Sequence, residues 1–489
     1  MAELHDLTAL EQLEQLRRGE VSPLDLVEHY LSRIERLDGT SDNGGPDGLG
    51  AFVEVTASAA RERAAALLEQ PMALALWGLP LADKDLIDRA GVPSRYGSRA
   101  FADHVPDTSD ELVETLDAAG AISLGKTSTP EFGMPSYTEP LAGRPARNPY
   151  DPALGAGGSS GGAAVAVAAG LLPVAPGSDG GGSVRIPAAA TGLVGLKPSR
   201  GRITASPGFT NLGGLGVAGP LARTVTDAAL LFDAMIGDSA PNARGEDAAW
   251  PYATRAPSWD GGAYLNAAVR GEGRFQLGVT TSSPWETAYE LVVEPEAQDA
   301  LRIAREHLDA IGHGLEEFRL EPEEGYAAAF TTLWQGGAAG IRIEGDQFDQ
   351  VEPLTRWLVE TGRRLGAREL AAALGWLTKY ERRVIRQLSR FDAVLTPALA
   401  MTPRPIGWYD ADDGMRNFGQ QVQYTPFTSF VNVSGLPAIA LPVHVTESGL
   451  PMGVQLIGRP GGEHVLLAIG AQLERRLNWQ DRHPPQWRA

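Results

Sequence analysis

No cysteine occurs in the 489 residues. That absence excludes disulfides, zinc–thiolate sites and every mechanism built on a thiolate nucleophile. Lysine is nearly absent as well. Of 42 basic residues only Lys84, Lys126, Lys197 and Lys379 are lysines, which leaves 38 arginines. A genome that writes arginine by default accounts for the composition. Against that background, each remaining lysine marks a place where arginine is a poor substitute. A group that must be neutral at pH 7 is such a place, because a guanidinium keeps its proton. Positive charge is in deficit overall, with 61 acidic residues and a net charge of −19. That balance argues against a nucleic-acid or anionic-membrane surface. Long apolar runs are also missing. The longest, Ala163 to Ala175, is too short and too glycine-flanked to span a bilayer. Met1 to Asp6 shows neither a basic n-region nor an apolar h-region. The expectation is a cytoplasmic protein.

Glycine is plentiful, and its densest stretch is Gly155 to Pro187. Two serine-bearing clusters, Gly157-Gly158-Ser159-Ser160-Gly161-Gly162 and Asp179-Gly180-Gly181-Gly182-Ser183, bracket an alanine-rich segment. That segment predicts a helix over 163–172, stopped by Pro173, then a strand from Val174. The layout is loop, buried helix, short strand, loop, with a serine presented at each loop.

Elsewhere the chain alternates helical and extended patterns. Thr8 with Glu11 fits a capping box, and Ser22 with Pro23 fits a second helix start. Residues 57–69, 111–119, 297–311 and most of 320–390 read as helix; 79–87, 121–124 and 275–281 read as extended. From Asp238 to Gly273 runs a Gly/Pro/Trp-rich excursion without periodicity. Gly120 to Thr127 matches the phosphate-loop pattern G-x-x-x-x-G-K-[ST]. A phosphate loop follows a strand and opens a helix, whereas here a helix precedes a strand, so nucleotide binding is disfavoured. Gly158 to Gly162 also contains G-x-S-x-G, a nucleophile elbow centred on Ser160. The downstream histidines His307, His313, His444, His464 and His483 sit in no recognisable motif, so that reading lacks its base.

Taken together, GGSSGG and D-G-G-G-S-V-R-I-P, with Ser159 and Ser183 24 positions apart, resemble the amidase signature family. Lys84-Asp85, the run Gly120 to Gly133 and Gly192 to Arg202 match further family segments; the likeness covers most of the chain and is sharp from about 79 to 202. The resemblance implies a single α/β domain with a mixed central sheet covered by helices on both faces. Residues 1–60 would be N-terminal helices packed on the core, and 61–489 the signature domain, with a variable substrate-facing region at about 238–425.

The resemblance also implies a mechanism: Ser183 as nucleophile, Ser159 as the proton relay after a cis Gly158–Ser159 bond, and Lys84 as base. Backbone N–H groups of Gly180, Gly181, Gly182 and Ser183 would form the oxyanion hole. Ser160, Asp179 and Arg185 are supporting residues, and we expect Asp179 and Arg185 to pair across the loop. On an extended segment Lys84 faces away from Asp83 and Asp85. Asp83 departs from the family, which has an apolar residue there, and an added carboxylate would raise the lysine pKa. Pocket walls are expected from Met134, Tyr137 and Thr138, and from Phe330 and Trp334, which share a helix face.

The expected activity is hydrolysis of a small or oligomeric amide, anilide or carbamate (urethane) through an acyl-enzyme, needing no metal or cofactor. The expected partners are a small-molecule substrate and at most a second copy of the chain, with no nucleic acid or membrane. The alternative within the family is the glutaminase subunit of a tRNA-dependent amidotransferase. That pattern places an acid seven residues before Asn432, where this chain has Thr425.

Overall fold

The computed structural model describes residues 3–39, 48–203, 211–236 and 264–488. Most of the Asp238–Gly273 excursion lies outside them; its described end holds a helix, Tyr264–Arg270.

The N-terminal helices open as their sequences dictate. Glu11 reaches back to Thr8 N–H at 2.8 Å while the Thr8 hydroxyl accepts from Glu11 N–H, starting Ala9–Arg18. Ser22 and Asp25 do the same for Pro23–Leu37, with Pro23 at the first helical position.

An eight-stranded mixed sheet forms the centre. Across it run Gly314–Glu317, Gln276–Val279, Ala393–Pro397, Pro451–Gly458, Ala438–Val445, Val194–Lys197, Val217–Ala222 and Val174–Asp179. The first three are mutually parallel and the rest antiparallel. Ala438–Val445 and Pro451–Gly458 are near-continuous apolar runs, the pattern of strands buried on both faces. Helices Arg185–Thr191, Val225–Ile236, Pro295–Ile311 and Glu463–Leu477 flank the sheet.

A smaller sheet of Phe52–Val55, Ile122–Thr127 and Pro80–Lys84 lies at the Val174–Asp179 edge. Between the two sheets runs Gly161–Ala168, a helix whose every residue is buried. It is two residues earlier in its start, and shorter, than the predicted 163–172. Its small side chains let strands approach from both sides, which explains an alanine–glycine composition that would be a poor isolated helix.

Residues 326–388 are helical as expected: Tyr326–Ala339, Pro353–Arg363 and Ala367–Leu388 pack with Gly414–Tyr424 into a cap with apolar clusters of its own. The two ends of the chain meet beside the small-residue helix. His5 Nε2 lies 3.1 Å from the Trp487 carbonyl, and Trp487 Nε1 donates to Asp6 Oδ1 at 2.8 Å. Arg33 donates to the carbonyls of Gly170, Ala169 and Trp487 at 2.8, 3.0 and 3.2 Å. A Cβ on Gly170 would sit 2.9 Å from the Trp487 ring, so only glycine admits this contact.

Candidate active site

Three elements converge on Lys84. It ends the Pro80–Lys84 strand, wholly buried, and its Nζ donates to Ser159 Oγ at 2.8 Å, Ser160 Oγ at 3.0 Å and Ser178 Oγ at 3.0 Å. Ser159 and Ser160 come from the first glycine cluster, Ser178 from the strand leading into the second. Burial lowers the Lys84 pKa to about 7, against the opposing pull of the Asp179 charge.

The neighbouring carboxylates point elsewhere, as alternation requires. Asp83 accepts from Arg89 Nε at 2.7 Å and Ser123 Oγ at 2.8 Å, so its charge is spent on an arginine. Asp85 accepts from Arg95 N–H at 3.2 Å and lies 3.8 Å from Lys126. The concern that Asp83 would raise the lysine pKa is thereby removed; the carboxylate that acts on Lys84 is Asp179.

The four lysines sort by burial. Lys84, Lys126 and Lys197 are all fully buried, and Lys379 is exposed. Lys126 donates to Ser94 Oγ at 2.8 Å and to the Ile87 carbonyl, beside Asp85. That is a structural cation, and Ile122–Thr127 is a strand, so the phosphate-loop pattern opens no helix. Lys197 donates to the Pro198 carbonyl at 2.8 Å; burial first, then the Arg185 charge, lower it to about 7.

The two glycine clusters are tied directly, Ser160 N–H donating to the Ser183 carbonyl at 3.1 Å. The Gly158–Ser159 peptide is cis. Thr129 Oγ1 and Thr138 Oγ1 donate to the Ser159 and Gly157 carbonyls at 3.1 and 2.9 Å. Ser160 has no exposed surface, Ser159 has 2% and Ser183 has 7%, so Ser183 is the hydroxyl most open to a ligand. Both Ser159 and Ser183 line one cavity; Ser160 does not reach it.

The second loop is held by a buried ionic node. Arg185 Nε and Nη2 each donate to the Asp179 carboxylate at 2.9 Å, the pairing expected from their spacing. Burial alone would raise the Asp179 pKa, but the Arg185 charge and hydrogen bonds hold it well below the usual carboxylate range. Asn432 Nδ2 donates to Asp179 Oδ1 at 2.8 Å and accepts from Arg185 at 2.6 Å through Oδ1, and Gln455 accepts from Arg185 at 2.6 Å. Thr428 Oγ1 donates to the Gly181 carbonyl at 2.6 Å. Gly182 N–H donates to Asp179 Oδ1 at 2.8 Å. It is therefore committed to the loop, in contrast to the expectation that it points at substrate. Among the described residues the N–H groups of Gly180, Gly181 and Ser183 carry no hydrogen bond.

Two chambers meet at Ser183. One, partly open to solvent, lies between Leu86, Phe132, Met134, Leu212, Leu333 and Trp334. The other lies among Met134, Trp285, Phe330, Trp334, Phe418 and Thr425. Met134, Phe330 and Trp334 line these chambers. Tyr137 and Thr138 do not line either chamber: Tyr137 stacks on Tyr409 at 3.9 Å, and Thr138 braces the first glycine loop. Sequence reasoning missed Ser178, Thr428 and Gln455. No motif marks them, because their partners are brought in from other strands and loops.

The chain matches the Amidase family model over residues 25–467. It is 37% identical over 482 residues to "Putative amidase AmiB2" of Mycobacterium tuberculosis, covering 97% of each chain. It is 32% identical to "Putative amidase" of Synechocystis, covering 96% of this chain and 88% of that one. The structure superposes on 6-aminohexanoate cyclic dimer hydrolase with a TM-score of 0.87 at 30% identity, covering 99% and 100% of the two chains. A bacterial aryl acylamidase of the amidase signature family superposes with a TM-score of 0.81 at 27% identity, covering 98% of each. The protein belongs to the amidase family and is a hydrolase of amide carbon–nitrogen bonds.

Proposed function

We propose that the substrate is a small non-peptide amide, anilide or carbamate, cleaved through an acyl-enzyme with Ser183 as nucleophile, Ser159 as relay and Lys84 as base. One observation carries this: a fully buried lysine whose Nζ meets hydroxyl groups, Ser159 at 2.8 Å among them, with no carboxylate among the described residues bonded to it. Serine is a weak nucleophile until a base takes its proton. A lysine with a pKa near 7 is half neutral at physiological pH and is a competent acceptor. The Ser183 proton passes to Ser159 as the Ser159 proton passes to Lys84, and Ser183 Oγ bonds the substrate carbonyl carbon. The carbonyl oxygen becomes an oxyanion facing the uncommitted N–H groups of Gly180, Gly181 and Ser183. The leaving nitrogen takes the proton back through Ser159 as the C–N bond breaks. Water then repeats the attack on the Ser183 ester, releasing the acid.

Thr425 lines the second chamber, and no acidic side chain lies among the described residues there. A glutamine ammonium would lack a counter-charge, which favours a free-standing amidase over the glutaminase subunit. The test is covalent labelling with a fluorophosphonate. The adduct is expected on Ser183, and Ser183→Ala is expected to bind substrate without turning it over. An adduct on Ser160 would replace this mechanism by the nucleophile-elbow one.

A further inference from the structure

Building on Ser183 as the nucleophile, we propose that this enzyme acts on amides that are uncharged on both sides of the scissile bond and carry an apolar group on each side. The two chambers share Met134 and Trp334 as a partition and open onto the same hydroxyl, so the two halves of a substrate divide between them.

Neither chamber offers a free counter-charge among its described residues. In the first, the one charged side chain is Asp179, and its carboxylate is filled by Gly182, Val184, Arg185 and Asn432. In the second there is no charged side chain among the described residues, and Gln421, Thr425 and Ser429 are paired with one another or with the scaffold. Gln421 Oε1 accepts from Ser136 N–H at 2.8 Å, and its Nε2 donates to Asn417 at 2.7 Å. Thr425 Oγ1 donates to the Gln421 carbonyl at 3.1 Å. Ser429 Oγ accepts from Trp285 Nε1 at 2.9 Å and pairs with the Tyr326 hydroxyl at 2.8 Å. Most of the surface left for a ligand is ring and alkyl, with Trp285 edge-on to Phe330 at 5.4 Å and Trp334 stacked on Phe330 at 5.6 Å. A carboxylate or ammonium entering here gives up its hydration and meets no counter-charge. An apolar ring gives up nothing and gains contact.

The experiment uses one scissile amide in matched series. On the amine side, a 4-acetylanilide is compared with the 4-carboxyanilide. On the acyl side, a chain ending in methyl is compared with chains ending in carboxylate and in ammonium. The charged member on either side is expected to lose at least about 100-fold in kcat/KM. A charged member turned over within about 10-fold of its neutral partner, on either side, would overturn the inference. Fluorophosphonate labelling of the same preparation separates the two levels of failure. Label on Ser183 with charged substrates preferred rejects this substrate class alone; label elsewhere rejects the underlying mechanism. In addition, Thr425→Asp is expected to raise turnover of the ammonium-bearing member at least about 10-fold relative to the methyl one. A folded Thr425→Asp protein with an unchanged ranking would show that the acyl group does not enter the second chamber.

Discussion

As the proposed base, Lys84 must be buried and still solvated by polar groups, and no carboxylate among the described residues is bonded to it. Three serine hydroxyls meet that requirement because each can donate to a neutral amine as well as accept from a charged one. Arginine in its place stays protonated at any working pH. Lys84→Arg is therefore expected to fold, by circular dichroism, and to lose on the order of 10² to 10⁴ in kcat. A variant retaining most of its activity would remove Lys84 from the mechanism. On the proposed mechanism the wild-type rate follows the neutral form of the amine, so kcat/KM is expected to rise with pH through about 7 and level off above it. A rate that falls across that range would assign the titration to another group.

Among the elements, the loop 179–185 and the helix Tyr326–Ala339 decide the site. Gly182 has φ of +136°, and a Cβ there would lie 2.5 Å from Thr428 Oγ1 and 2.6 Å from Ile186 Cδ1. Gly182→Ala must push Thr428 off the Gly181 carbonyl and displace the neighbouring N–H groups. It is expected to cost about 1–3 kcal/mol of stability and about 100-fold in kcat. Wild-type kcat in that variant would show that the loop does not hold the oxyanion. On the helix, Phe330 is 4% exposed while Trp334 is half-buried and forms the partition. Trp334→Ala should change the ranking of large against small substrates by about 10-fold or more. Phe330→Ala should instead lower Tm, as core aromatic truncations costing about 3–5 kcal/mol do. A Tm loss for Trp334→Ala as large as that for Phe330→Ala, without a change of ranking, would return the indole to the core. The existence of this helix and the shared face of its aromatics were legible in the periodicity. Which side of Ser183 they serve was not, because that depends on how the cap settles over the sheet.

The molecule is closed by its own ends. His5 lies 3.1 Å from His29, and His483 stacks on Trp487 at 4.0 Å, with the Arg223 guanidinium over the same ring at 4.8 Å. Burial first, then the charges of Arg33 and Arg223 respectively, lower His5 and His483 to about 4. Both are below the ordinary value of 6.5, so the unfolded chain binds more protons than the folded one between those limits. Their contribution to stability is complete above about 6.5 and is lost as pH falls through about 4. Glu352 and Glu474, raised to about 8 by burial, act in the opposite sense, so the cluster is read by difference. His5→Gln and His483→Gln should each lose less Tm than the parent between pH 6.5 and pH 4. Parallel Tm profiles for parent and variants would show that the histidines do not titrate with unfolding.

By itself the sequence determined the elements whose signals are local. Capping boxes, the buried alanine helix, the two serine-bearing glycine loops and the scarcity of lysine all depend on neighbours within a few positions or on composition. The pairing of Asp179 with Arg185 belongs here too, since six residues of tight loop bring them together. Only the tertiary structure decided the rest. Lys84 reaches Ser159 across 75 positions, and Asn432 reaches Asp179 across 253. It also committed Gly182 N–H to Asp179, gave Thr138 to the loop instead of the cavity wall, and set Trp334 between two chambers. The reason is physical: a hydrogen bond or a wall needs two surfaces placed to within a few tenths of an ångström. Local pattern fixes each surface, while the sheet order and the packing of the cap fix the distance between them.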